Sequence, residues 1–170
     1  MTTKLIFEET MTKELSDFIQ IQARALSLAR LDRLIVDLPA LRERFTKIPS
    51  QTYAHLSDQL EFLSLFVEEQ VAALNPDLDT DPVAEAAFAL LYFQRAADLI
   101  PDSIPAVGLL DDAIIVGLVL SRHHHAFKRS SHASKLRWPA PSFRVDQLLS
   151  VISPLRLSSF YSSLATRPRA

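Results

Sequence analysis

The stretch Asp98-Leu-Ile-Pro-Asp-Ser-Ile-Pro-Ala-Val-Gly-Leu-Leu-Asp-Asp-Ala-Ile-Ile-Val-Gly-Leu-Val-Leu120 places four carboxylates, two prolines and both of the protein's glycines inside its most apolar region. Proline lacks a backbone donor and clashes with the preceding turn, so a helix arriving from the N-terminal side ends at Pro101. Asp102 and Ser103 are suited to cap the helix that follows, and Pro105 to its first turn. That helix is expected over about residues 104–127, with Asp111 and Asp112 in its interior and apolar neighbours on the faces they share. The reading is a helical hairpin broken by proline. Its carboxylates need partners, because a charge taken out of water is costly unless it is paired.

Working outward, two glycines against ten prolines and no alternation of apolar and polar residues extend the helical reading to the whole chain. A first helix is expected from about Met11 to Val36, with Leu15, Phe18, Ile19, Leu26, Leu31 and Leu34 as a partial stripe. Asp37 then caps a short helix that has Pro39 near its first turn. Leu56, Leu60, Leu63, Val67, Val71 and Leu74 recur at helical spacing and predict a core-facing helix over about residues 51–74. Asp77, Asp79 and Asp81 alternate as in a calcium loop, but the glycine and the distal glutamate of such a loop are missing. Asp81, Pro82 and Glu85 instead open another helix, which runs to about Leu99 and is apolar on almost every side, as a buried helix is. The expected fold is all-α. One domain (residues 1–170) bundles about five to seven helices around the proline-broken hairpin (86–125), and a basic C-terminal segment follows (126–170).

Composition narrows the chemistry. With 170 residues, 48% of them hydrophobic and 22% charged, the chain can bury a sizeable core. It has no cysteine, which removes disulfides, thiolate zinc sites and cysteine nucleophiles. Two glycines leave no phosphate-cradling loop, no Gly-x-Ser-x-Gly elbow is present, and His55 is isolated, so no catalytic residue is assigned. The first 25 residues, Glu8, Glu9, Glu14 and Asp17 among them, lack the order of a secretory signal, and a cytoplasmic location is expected. The net charge of −2 hides a polarity: residues 1–120 carry 9 Lys/Arg against 19 Asp/Glu, a balance of −10, and residues 121–170 carry 9 against 1, a balance of +8.

Tyr92, the run Asp98-Leu-Ile-Pro-Asp102, Pro105, Gly108 and Leu110-Asp111-Asp112 together resemble the YkvA-like family, a bacterial domain of unknown function with this signature. The resemblance spans residues 87–120, and Gln94-Arg95-Ala96-Ala97 stands where family members often have a small apolar or Ser-Pro step. It implies a small helical hairpin found in many proteins, some of them membrane-associated, without an agreed activity.

Two readings of the aspartates stand. Arg95 is the only Lys or Arg between Lys47 and Arg122 and precedes Asp98 by three residues, so a structural network would join Arg95 to Asp98 and to Asp111 or Asp112. The others, Asp102 included, would bond backbone amides at the Pro101 break. The competing reading is a divalent-cation site, with Asp98, Asp102, Asp111 and Asp112 as hard oxygen ligands for magnesium, calcium or manganese. His123 lies eleven residues beyond Asp112, roughly 16 Å along a helix, so His123, His124 and His125 read as a solvated helix end, and a zinc site completed by His132 as the alternative.

The C-terminal third carries the partner expectation. Lys128, Arg129, Lys135, Arg137 and Arg144 are interleaved with Phe127, Trp138 and Phe143. They suit a contact surface for a protein partner, for anionic lipid headgroups, or for a nucleic acid stacked on Trp138. A segment folded back as a brace on the acidic helices is the structural alternative. Asp111 and Asp112 speak against a membrane span over residues 104–120. The function expected from the sequence is therefore non-enzymatic interaction or scaffolding through the basic C-terminal third. Its alternatives are a metal-dependent activity or metal sensing at the aspartates, and peripheral membrane association.

Overall fold

The order of elements follows from where apolar stripes can meet without an over-long helix. A computed structural model of the chain describes residues 2–53, 55–73, 80–95, 109–134 and 136–139. These form α1 (Thr2–Arg24), α2 (Leu28–Phe45), α3 (Leu56–Ala72), α4 (Thr80–Gln94), α5 (Leu110–Arg122) and α6 (His124–Ser134), with no strand among the described residues. They build one helical bundle. The all-α expectation holds, while Pro101, Pro105 and Gly108, which carry the proline break, lie outside the described residues.

The single helix expected over Met11 to Val36 is instead two helices joined by a turn at Ala25–Ser27. A straight helix from residue 2 to residue 45 would be roughly 65 Å long at 1.5 Å per residue, far beyond the width of such a bundle. Ser27 stops it: in an extended conformation (φ −85°, ψ 154°) it caps α2, its Oγ accepting from the Arg30 amide at 3.3 Å. The turn lets Leu15, Ile19 and Ala23 of α1 and Leu34, Leu38, Leu41 and Phe45 of α2 bury in one core.

The short helix expected after Asp37 is overturned too, because α2 passes straight through Pro39. A proline there leaves the Ile35 carbonyl without its helical donor. Pro39 is exposed, so water can take that donor's place.

α3 starts five residues later than its stripe suggested, after the turns that bury Ile48 and Tyr53. α4 is the central element. It packs against α1, α2, α3 and α5, and buries Ala86, Ala87, Phe88, Ala89, Leu90, Tyr92 and Phe93. Its alanines allow neighbouring helices to come close, and its aromatic rings tie them: Phe88 meets Phe18 of α1 edge-on at 5.8 Å, and Phe93 meets Phe45 of α2 at 5.4 Å. Arg44 of α2 closes the far end of α4, donating to the Gln94 carbonyl at 3.1 Å and to the Phe93 carbonyl at 3.2 Å. Those carbonyls belong to the last turn, which has no helical donors left and carries the negative end of the helix dipole.

α5 departs furthest from expectation. It begins at Leu110 rather than near residue 104, and every residue from Leu110 to Leu120 is buried. It also ends at Arg122 rather than at Phe127: His123 (φ −102°, ψ 21°) ends α5, its amide bonded to the Val119 carbonyl, and its own carbonyl accepts from Phe127 in α6 at 3.0 Å. α6 buries Phe127 completely, edge-on to Phe66 at 4.7 Å and Phe62 at 5.9 Å. No described helix is long and apolar enough to cross a membrane.

Candidate functional site

Asp111 and Asp112 are each 1% exposed, and the later start of α5 moves them from a helix interior to its first turn. That position answers why two carboxylates can stand side by side in the core. The first turn of a helix has amides without helical acceptors and the positive end of the dipole, and both stabilise negative charge. Leu109, the residue before the helix, offers no side-chain cap, so the aspartates are the acidic groups at this end.

Tyr92 of α4 donates its buried hydroxyl to Oδ2 of Asp111 at 2.7 Å, which locks α4 to α5. Arg95, Asp111 and Asp112 are all engaged. Asp98 and Asp102 lie outside the described residues, so the four carboxylates read together from the sequence divide into a buried pair and two that are not placed. Among the described residues no group of three or more His, Asp or Glu side chains could hold a metal ion. Replacing Tyr92 by Phe removes the hydroxyl and keeps the ring. Thermal or urea unfolding should then show a loss of roughly 1–3 kcal/mol, the cost of withdrawing a donor from a buried carboxylate; an unchanged midpoint would show that Asp111 does not depend on Tyr92.

A second buried cluster escaped the sequence reading. Glu85 of α4 is 2% exposed, and its Oε1 accepts from Arg122 Nη1 at 2.7 Å while its Oε2 stands 3.0 Å from His123 Nε2. One carboxylate thus gathers the last residue of α5 and the residue that breaks it from α6. Burial pushes the Glu85 carboxyl up, but the His123 ring close to Oε2 and the hydrogen bond and charge of Arg122 outweigh it, and the group sits below the ordinary carboxylate value. The signal was present as a lone acid, Glu85, in the apolar run of α4. Its partners lie 37 and 38 positions away, beyond any helical spacing rule.

The three consecutive histidines separate in the structure. His123 is held inside by Glu85, with its side chain 13% exposed. His124 packs edge-on against Trp138 at 5.0 Å, and of the three only His125 is exposed. The expected solvated helix end is therefore reduced to one of the three.

Of the basic residues read as a contact surface, Lys128, Arg129 and Arg137 are exposed, and Lys135 and Arg144 carry no described side chain. Trp138 is half-buried, 5.3 Å from the Phe62 ring, so it is engaged with the bundle. α6 divides along its length. Phe127 and Ser131 face the core, and His125, Lys128, Arg129 and His132 face solvent at positions i, i+3, i+4 and i+7.

The pattern of a family described as a protein of unknown function, DUF1232, matches residues 83–118. The match takes in most of α4 and α5 with Glu85, Tyr92, Asp111 and Asp112, and leaves out Arg122, His123 and α6. No curated protein and no solved structure matches the chain.

Proposed function

We propose that the protein is a non-enzymatic interaction or scaffolding module that contacts its partner through the basic C-terminal third, with the exposed face of α6 as the described part of that surface. The observation that carries the reading is the stripe of His125, Lys128, Arg129 and His132. All four are exposed, and none has an ion pair among the described residues. A brace would place acids against such a stripe. Among the described ion pairs, Asp17, Glu68, Glu85 and Asp81 are taken by Lys13, Arg42, Arg122 with His123, and Arg24, none of them on the stripe.

The α4–α5 pair supplies the rigid support, and we read it as a YkvA-like hairpin, a reading favoured by the Asp-Asp pair at the start of α5 and by the family match over residues 83–118. A cytoplasmic location, the absence of catalysis and a protein rather than lipid or nucleic acid partner belong to the same proposal.

The test uses the intact chain carrying Lys128→Ala, Arg129→Ala and Arg137→Ala together. Its unfolding midpoint should match the parent, since exposed substitutions of this kind stay within about 0.5 kcal/mol, and its capture by immobilised polyglutamate and heparin should drop. A clear fall in midpoint would make the segment an internal brace and overturn the proposal.

A further inference from the structure

We infer that the exposed face of α6 takes an acidic helical segment of a partner protein, an inference that rests on the reading of α6 as a contact surface. The stripe from His125 to His132 is about 10 Å long at 1.5 Å per residue, two turns of helix and one side chain wide. α6 carries no Asp or Glu to neutralise it. Charge complementarity therefore asks for carboxylates spread over a matching length. A helix presenting them at i, i+3, i+4 and i+7 sets carboxylates against the Lys128 and Arg129 charges and places hydrogen-bond acceptors beside the flanking His125 and His132 rings.

The aromatic residues decide between partner classes. A helix that binds a membrane surface inserts Trp, Phe or Leu below the headgroups and keeps its basic residues above them. In α6 the one large apolar side chain, Phe127, is fully buried between Phe62 and Phe66, and the exposed apolar residue is Ala133. Single-stranded nucleic acid needs a free aromatic face on which bases stack. Trp138, the residue the sequence offered for that role, has its ring against Phe62 at 5.3 Å and His124 at 5.0 Å. Among the described residues, the two aromatics that lipid or bases would use, Phe127 and Trp138, are engaged with the bundle, and α6 turns Lys128 and Arg129 with two histidines to solvent.

Fluorescence polarisation measures this directly. The probe is a fluorescein-labelled, end-capped glutamate-rich peptide with carboxylates at the stated spacing. Unlabelled phosphatidylcholine/phosphatidylserine vesicles and oligothymidylate serve as competitors and as separate binding partners. The peptide should bind the full chain, weaken with added salt, and lose roughly tenfold or more of its affinity to Lys128→Glu/Arg129→Glu. A proline-interrupted peptide of the same composition should bind less well. A second variant, His125→Glu/His132→Glu, guards against a folding defect in the first. Vesicles or oligothymidylate that bind in a Lys128- and Arg129-dependent way while the peptide does not would overturn the partner inference and leave the contact surface standing. Binding of none of the three would overturn both.

Discussion

Glu85→Ala is expected to cost about 3 kcal/mol of folding stability, the lower end for breaking a buried ion pair, and so to lower the thermal midpoint by roughly 6–12 °C for a chain of this size. The loss exceeds that of a surface ion pair because Glu85 is buried at 2% exposure and serves two partners. It stays at the lower end because Arg122, with a side chain 27% exposed, can turn toward water when its carboxylate is gone. Glu85→Gln keeps the shape and an acceptor oxygen for Arg122, and should cost less. The carboxyl's depressed folded value fixes the direction of the pH effect. Its contribution is complete above the ordinary value of 4.5 and is lost as pH falls below it through the folded value. Chemical unfolding of wild type and Glu85→Gln at a series of pH values should therefore give a stability difference that is constant near neutrality and shrinks in acid. An unchanged midpoint in Glu85→Ala would remove the cluster from the account of what holds the α5–α6 junction.

How far these features could be read from sequence depends on their range. α3 is legible from its stripe, and α4 from its apolar run and its Asp81-Pro82 start, because these are local signals. The turn between α1 and α2 was not, because Ser27 caps a helix in a stretch with no glycine or proline, and its Oγ-to-amide bond spans only three residues of otherwise helix-compatible sequence. Pro39 misled in the opposite direction: an exposed proline lets water compensate the freed carbonyl, which the sequence cannot reveal without knowing the face it lies on.

The candidate site divides in the same way. That Asp111 and Asp112 needed satisfaction followed from their apolar surroundings, but their placement in a first turn followed from where α5 begins. Arg122 and His123 could not be assigned to Glu85 by spacing, since α4 and α5 meet only in the folded bundle. Arg95, the only Lys or Arg between Lys47 and Arg122, is the cation that sequence offers to Asp98, Asp111 and Asp112; the cation that reaches Glu85 comes from the far end of the next helix, where no spacing rule points.

Phe127→Ala should be the other severe substitution, and it tests whether α6 is held by its ring or by its charges. The side chain is 0% exposed and makes edge contacts with Phe66, Phe62 and His123 at 4.7, 5.9 and 5.9 Å. Truncating a buried phenylalanine costs about 3–5 kcal/mol, through lost burial and the cavity left behind. α6 has few other apolar attachments of its own, since among its described side chains Ser131 is the only other buried one and its outward face carries Lys128 and Arg129. The loss should therefore appear first as local opening: amides of α6 should exchange with solvent faster than those of α4 under conditions where the bundle remains folded. Glu85, Arg122 and His123 pin the start of α6 and limit that opening to the turns beyond His123. Hydrogen exchange resolved by peptide distinguishes the outcomes. Faster exchange confined to α6 with a lowered midpoint fits a helix docked by one aromatic anchor. Unchanged exchange in α6 would mean that the basic face and the segment after it hold the helix in place, and the stripe would then be a brace rather than a surface free to meet a partner.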